Sequence, residues 1–419
     1  MDGSKEIIKI TNDEDKWLKF LEEKLNDTSL NESESAYYKR IKRVLDMPNL
    51  TQSQGNPINM VVNSIVNSNY FQGFDIIQVP EIVTEWETFD LFFFPENHVA
   101  RRPSDSYFLH KSNISKESIL LRPHTTVMWY YYLKHGNGQS ILENNGEIKA
   151  LSYGKVYRVD ELDKSHHECF HQIDGFKIAK KSKEIINQAT LKDVLTNTIT
   201  ALFGEGVEFR FNVDTFPYTL DSLEVEVNVD GKWLEILGAG VIHPTVLEML
   251  GIDPNEYNGW AFGFGIERLA MARKQIPDIR IFWSNDSRIT SQWGNWNPYK
   301  AVSVFPPVFK DISFLVNKEK FIKDLEEEKK SGELELTRET ESHFFALTGV
   351  IRDVCGDLIE EVKITDIYEN DEKFGKDFKS ISIKITFRSI ERTLTNDEIN
   401  ITYFQIRDKI KNVLGYELR

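Results

Sequence analysis

Two short stretches constrain the fold of this chain more than any other feature. The first is Gly154-Lys-Val-Tyr-Arg158-Val-Asp160-Glu-Leu-Asp-Lys-Ser-His166-His167-Glu-Cys-Phe170-His171-Gln172-Ile-Asp174-Gly175. It sets an arginine, several carboxylates, three histidines and an amide on a strand, a loop and a second strand. The second is Gly259-Trp-Ala261-Phe262-Gly263-Phe264-Gly265-Ile-Glu267-Arg268-Leu-Ala-Met-Ala. It reads as a glycine-broken strand running straight into a helix, with an arginine on the first helical turn. So many ionisable groups on extended backbone exceed what plain surface needs, and mark both stretches as parts of a site.

The chain has 419 residues, 40% of them hydrophobic, enough for two or three domains with real cores. It holds no run of about 18 apolar residues, so a membrane-spanning helix is excluded. The amino terminus, MDGSKEIIKITNDEDKW, is acid-rich, with neither an apolar signal core nor an arginine-rich presequence. A mature organellar protein reads the same way, so the expected location is cytoplasmic, or a mitochondrial or plastid matrix. A formal net charge of -15 argues against coating nucleic acid indiscriminately. It leaves room for gripping one RNA through local basic patches. The two cysteines, Cys169 and Cys355, lie far apart. That rules out a structural zinc site made of cysteines and suits a reducing compartment.

Residues 11–25 begin with a polar cap and an acidic turn, then space apolar residues at helical intervals. Asn26 to Ala36 is polar and is expected to break that helix. Residues 37–47 read as a second short helix stopped by Pro48, and a linker follows to Pro57. From Asn56 the pattern predicts a helix over 57–71, a buried strand over Phe74–Val79 and an amphipathic helix over 182–203. Strand-like runs follow at Val207–Val213, Leu223–Val229 and Trp233–Leu237, the last after the turn Asp230-Gly231. Helices interleaved with hairpins, without a strict βαβ rhythm, argue for an antiparallel sheet. No P-loop occurs, and Gly263 to Arg268 lacks the frame and acidic partner of a dinucleotide fingerprint. Beyond Ser303-Val-Phe-Pro306-Pro307 come a strand (DISFLV), a very charged helix over Lys318–Lys330, a strand (KSISIKITF) and a last helix from Asp397. Two βαβ-like halves of this size predict a ferredoxin-like sandwich. The expected division is a helical arm with linker over 1–55, a main unit over 56–302 and a tail over 303–419.

The two opening stretches resemble motifs 2 and 3 of the class II aminoacyl-tRNA synthetases. The wording FHQIDG and GWAFGFGIERLAM is similar to the phenylalanyl branch. Motif 1 is matched by Asn56-Pro57-Ile58 and by Gly73-Phe74 through Val79-Pro80-Glu81. Phe89-Asp90-Leu91, Pro95 through His98 to Arg101, Glu235-Ile-Leu-Gly238-Ala239-Gly240 and His243-Pro244 extend the resemblance over about residues 56–300. Phe305 through Phe314 and Arg392 through Asn400 resemble the ferredoxin-fold anticodon-binding domain, whose fusion to the catalytic unit marks the single-chain, organellar type. The fold implied is α+β: a class II synthetase antiparallel sheet flanked by helices, with a C-terminal ferredoxin-like anticodon-binding domain. The function implied is ATP-dependent attachment of phenylalanine to tRNA(Phe) through an adenylate, with Mg²⁺. The resemblance further implies a monomer without a separate editing subunit.

Activating a carboxylate with ATP requires a bent triphosphate and relief of charge at its α-phosphate, which the arginine fork serves better than lysine. On the resemblance, Arg158 holds the α-phosphate and the amino-acid carboxylate, and Arg268 the far end of the triphosphate or the adenine face. Asp160, His166 and Phe170 complete the ATP set, His166 as a phosphate donor and Phe170 as a stacking ring. The plainer alternative pairs both arginines with carboxylates such as Asp160 and Glu267. Glu235 is the first candidate for Mg²⁺ and Glu226 the second, although both suit solvated strand faces equally. His166, His167 and His171 fit no metal-ligand spacing.

Phe216-Pro217-Tyr218-Thr219 resembles the Phe-Pro-Phe element of the phenylalanine pocket, with Ala261 at its floor and Phe262 next to it. A strand-end core cluster is the alternative. His124, Thr126, Trp129, Gln172 and Asp174 make up the rest of the pocket, the last two facing the ammonium group. Three positions depart from the family: Trp129 stands where a glutamine is usual, Tyr218 replaces a phenylalanine, and Leu220 replaces an acid found in bacterial relatives. In the tail, Lys376, Lys379, Lys384, Arg388 and Arg392 are expected to contact tRNA phosphates.

Overall fold

A computed structural model describes residues 6–159, 163–229, 231–301, 305–318, 338–389 and 391–419. Asp160 and, past Lys318, the expected charged helix lie outside the described residues. In chain order the strands of the first part are β1 (Ile7–Lys9), β2 (Asp75–Gln78), β3 (Ile82–Thr84), β4 (Phe108–His110), β5 (Ile119–Leu121) and β6 (Glu147–Tyr157). Then come β7 (Cys169–Lys180), β8 (Phe209–Val213), β9 (Thr219–Val229), β10 (Lys232–Ile242) and β11 (Tyr257–Gly265). Eight of them form one sheet in the order β1-β2-β6-β7-β11-β10-β9-β8, and β3-β5-β4 form a small second sheet. β1, β2 and β6 run parallel. From β6 to β8 every neighbouring pair is antiparallel, so the sheet is antiparallel-dominated and flanked by helices.

Period-two alternation splits the sheet into two faces with different jobs. On one face Ile173, Leu223, Val225, Val227, Trp260, Phe262 and Phe264 pack with the helices Pro57–Val66, Gln188–Phe203 and Ile266–Lys274 into one core. On the other, Ala150, Phe176, Ile178 and Ala261 pack under the helix Met128–Lys134 into a second core.

Element boundaries moved where caps outweighed composition. The second helix runs Glu32–Asp46 rather than 37–47, because Asn31 and Glu34 form a reciprocal capping box. Such a box contributes about 1 kcal/mol and starts the helix five residues early. The helix expected over 182–203 begins at Gln188, where the Asn187 side chain accepts from the backbone N–H of Ala189 and Thr190. The first fifty residues do more than form helices, since β1 extends the main sheet at its edge.

The tail holds β12 (Val308–Asn317), β13 (Ile359–Tyr368), β14 (Phe378–Phe387) and β15 (Glu417–Leu418), in the order β13-β14-β12-β15. With the helices Arg338–Cys355 and Asn396–Leu414 this is the strand order of a ferredoxin-like sandwich. Charged contacts attach it to the rest: Arg352 to Glu168 at 3.1 Å, Arg40 and Arg43 to Asp353 at 3.0 and 3.1 Å, and Lys164 to Glu360 at 3.0 Å. Among the described residues no helix is long and apolar enough to cross a membrane.

Candidate active site

The antiparallel order brings the two opening stretches side by side. β7 pairs with β6 on one edge and with β11 on the other, so Gln172 lies opposite both Gly154 and Gly265. The carboxyl ends of β6 and β11 therefore meet at the start of β7. Arg158 follows β6, Phe170 opens β7, Arg268 sits on the first turn after β11, and Glu235 lies on β10 at the same end. The Arg158 guanidinium stands over the Phe170 ring at 5.2 Å, and its Nε donates to the Pro123 carbonyl at 3.1 Å. Arg268 and Glu235 are both more than half exposed and approach to 3.6 Å, a surface pair that a phosphate can displace at little cost.

Glu267, the neighbour of Arg268, has a different task. Its carboxylate accepts from the His171 backbone N–H and from His171 Nδ1 at 2.6 Å, while His171 Nε2 accepts from the Leu50 N–H at 3.0 Å. This buried relay clamps β7 to the helix Ile266–Lys274 and assigns His171 a structural part. His167 is structural too: it stacks on Trp283 at 4.6 Å and binds Cys169 through Nδ1. His166 stays partly exposed at the loop, with Nδ1 2.8 Å from Asp163.

Deeper on the same face lies a polar pair in an aromatic frame. Asp174 is buried at 4% exposure, and its two oxygens accept from Thr125 Oγ1 at 2.6 Å and Thr126 Oγ1 at 2.8 Å. Burial pushes its carboxyl up to about 6, against the pull of those hydroxyls and of Arg122 and Arg158. Burial, with Arg158 second, pushes the His124 imidazole down to about 3, so the ring is neutral. Phe94 stacks between His124 and Tyr218, at 6.0 and 5.7 Å, and Tyr218 stacks on Phe216 at 5.9 Å. Trp129 is buried and meets Phe92, Phe176 and Tyr218. It thus takes the expected glutamine position as part of an aromatic wall rather than as a hydrogen-bonding side chain.

The floor beneath is paved with glycine. A Cβ at Gly263 would come 2.6 Å from Asp174 Oδ1, one at Gly238 2.7 Å from Phe216 Cζ, and one at Gly240 2.4 Å from Thr219 Cβ. Only glycine lets these groups lie flat on the sheet.

Two expected positions are corrected. Phe262 does not line the pocket: it points to the opposite face of β11 from Ala261, against Phe71 and Gly175. Lys379 cannot meet RNA, because it shares the inward parity of Ile381, Ile383 and Ile385 and is fully buried. Of the other tail positions, Lys376 and Lys384 are exposed, Arg388 pairs with Glu360 at 2.5 Å and Arg392 pairs with Glu398. Glu226 lies directly across from Glu235 but is held by Arg210 at 2.6 Å and Asn212 at 2.7 Å. Among the described residues no group of three metal-ligating side chains exists.

Sequence reasoning passed over Arg122, Thr125, Phe92 and Phe94. Arg122 is buried and ties the carbonyls of Val79, Pro80 and Lys155 behind the site. Phe93 takes a left-handed φ of 57°, which turns its own ring outward while Phe92 and Phe94 face the pocket. The run Phe92-Phe93-Phe94 was the available signal.

Known proteins place this geometry. Residues 41–293 match the family described as tRNA synthetases class II core domain (F), and residues 303–419 match the ferredoxin-fold anticodon binding domain. The chain is 36% identical over 380 residues to the chloroplastic/mitochondrial phenylalanine–tRNA ligase of Arabidopsis thaliana, covering 87% of this chain and 78% of that one. It is 32% identical over 379 residues to the mitochondrial phenylalanine–tRNA ligase of Mus musculus, covering 82% and 74%. The phenylalanine–tRNA ligase alpha subunit of Ralstonia nicotianae is 38% identical over 224 residues, 53% of this chain and 64% of that subunit. The bacterial subunit thus matches about half of this chain, where the organellar proteins match more than four-fifths of it. Carrying the class II core and the anticodon-binding fold on one polypeptide, this chain belongs to the phenylalanine–tRNA ligase family of class II tRNA synthetases.

Proposed function

We propose that this chain activates phenylalanine with ATP and transfers it to tRNA(Phe). The observation that carries this reading is the convergence of Arg158, Phe170, Arg268 and Glu235 at one end of the sheet, next to a buried acid with two threonine donors. Asp174 receives the ammonium group and the aromatic frame receives the ring. The phenylalanine carboxylate then attacks the α-phosphate: a P–O bond to the acyl oxygen forms, the bond to the β-phosphate bridge breaks, and pyrophosphate leaves. Arg158 relieves charge on the α-phosphate and Arg268 holds the far phosphates, so rate comes from positioning and electrostatics without a protein nucleophile. The terminal ribose hydroxyl of the tRNA then attacks the acyl carbon: the new ester C–O bond forms as the bond to the phosphate oxygen breaks, AMP leaves and the hydroxyl proton is released.

Magnesium would be held by the exposed Glu235, since this ion needs only one or two carboxylates completed by water and phosphate, and Glu226 across from it would join only by giving up Arg210 and Asn212. The ion would supply charge neutralisation on the triphosphate. Lys384, on the exposed face of β14, and Lys376 are the proposed tRNA contacts in the tail. The proposed division of the chain remains 1–55, 56–302 and 303–419, with one polypeptide as the active unit. The names of the plant and mouse relatives support an organellar place of action.

Amino-acid-dependent ATP–pyrophosphate exchange tests the reading, run with phenylalanine, tyrosine and tryptophan side by side. Phenylalanine should stimulate exchange most, and Arg158→Ala should lower it by at least 10²-fold without loss of fold. Exchange that no amino acid stimulates, or an Arg158→Ala variant within a few-fold of the parent, would refute it.

A further inference from the structure

Thr125 is fully buried and touches both polar groups of the pocket. Its hydroxyl donates to Asp174 Oδ1 at 2.6 Å, and its backbone N–H donates to Gln172 Oε1 at 3.2 Å. Asp174 and Gln172 are alternate residues of β7 on the same face, so one threonine spans them. Its own place is set from behind: its carbonyl accepts from the Met128 N–H at 3.0 Å at the entrance to the helix Met128–Lys134. From below, Gly263 lies close enough to Asp174 that no side chain could intervene.

We infer that Thr125 is a positioning residue for amino-acid selection, holding the Asp174 carboxylate ionised and oriented for the substrate ammonium group. This rests on the proposed role of Asp174. Thr126 shares the work through Oδ2, but Thr125 alone also fixes Gln172, turning its NH₂ toward an acceptor such as the substrate carboxylate and leaving the ammonium group to Asp174. The charged and titratable groups facing Asp174 are few. Arg122 and Arg158 favour its charge, the neutral Tyr218 borders it, and Thr125 and Thr126 donate to it. Burial opposes all of these and leaves the carboxyl at about 6, where loss of one donor moves it through neutrality.

The linkage has a definite sign. A hydrogen bond to the charged form stabilises the carboxylate, so removing it raises the value further and widens the pH range in which the ammonium group meets a neutral acid. Thr125→Val keeps the shape and removes the hydroxyl. In phenylalanine-dependent exchange it should lower kcat/KM for phenylalanine about tenfold at pH 7 and move the acid limb of its pH profile up by about one unit. KM for ATP should stay within about twofold, and Thr125→Ser should restore the parent profile. If valine does not fold, Thr125→Cys, a weak donor of similar size, should move the limb in the same direction by less. Superimposable pH profiles for the parent and the folded valine or cysteine variant would overturn the inference. Asp174→Asn separates the two layers. If it raises KM for phenylalanine while Thr125→Val does nothing, Thr125 is only structural. If Asp174→Asn also leaves KM unchanged, the reading of the ammonium site itself fails.

Discussion

Replacing Glu168 by glutamine should loosen the attachment of the tail, in an amount that depends on pH. Glu168 is 4% exposed and lies in the loop that leads into β7, two residues before Phe170. Arg43 from the second helix reaches it at 2.5 Å, Arg352 from the tail at 3.1 Å, and the Tyr107 hydroxyl donates to it at 2.9 Å. Burial works to raise its carboxyl, but Arg352 and then Arg43 overcome this and bring it down to about 2. Set against the ordinary glutamate value of 4.5, that depression corresponds to about 3 kcal/mol favouring the folded carboxylate. A depressed folded value means this stability is complete above about 4.5, shrinks to about half by pH 3 and vanishes below pH 2.

Glu168→Gln keeps an acceptor for Tyr107 and removes only the charge. Urea unfolding at pH 7 should show a loss of about 3 kcal/mol, with a smaller difference from the parent at pH 3. Arg352→Met keeps the aliphatic stem and removes the largest favourable partner, so the double variant isolates the coupling between tail and motif 2. A loss of the same size at pH 7 and pH 3 would show that shape, not charge, sets the role of Glu168.

Ala261→Gly removes the one methyl at the pocket floor opposite Phe176, and the preference for para-chlorophenylalanine over phenylalanine should rise by about tenfold or more in exchange assays; an unchanged ratio would place Ala261 outside the pocket. Lys376→Ala and Lys384→Ala should each reduce the slope of log Kd for tRNA against log salt by about 0.7 to 0.9, while Lys379→Met leaves that slope alone. The opposite ranking would mean that RNA meets the other face of the tail sheet.

The general architecture was legible because it is written in periodicity. LEVEVNV alternates, and in β9 its leucine and valines enter the helix-side core while Glu224 and Glu226 face the opposite side of the sheet. The same rule, carried one strand further, separates Ala261 from Phe262 and Lys384 from Lys379. Both errors came from reading a motif as a string rather than as a pleated strand whose neighbours point apart. The capping box at Asn31 and Glu34 was equally readable, since the asparagine and the glutamate stand at the required spacing. What local pattern does not carry is tertiary meeting. Thr125 matters because a loop from one side of the sheet lands on Asp174, and Phe94 because a left-handed turn folds its ring between His124 and Tyr218.

Glycine joins the two levels. Gly238, Gly240 and Gly263 all lie on the face of Asp174 and Ala261, each under a group that a Cβ would displace, whereas Gly175 on the opposite face makes room for Phe262. Glycines spaced by two on a strand therefore identify which face is left bare, and β10 and β11 bare theirs under the same pocket. Strand glycines weaken a sheet by roughly 0.5–1 kcal/mol each. Keeping several of them at its centre makes sense only where the missing side chains are replaced by something laid on top. Phe216 and Thr219 from the chain and, on the proposed reading, phenylalanine itself supply that cover. The cost in strand stability and the shape of the proposed amino-acid site are thus two consequences of one arrangement, and on that reading the departures at Trp129 and Tyr218 alter the walls of the site without touching its floor.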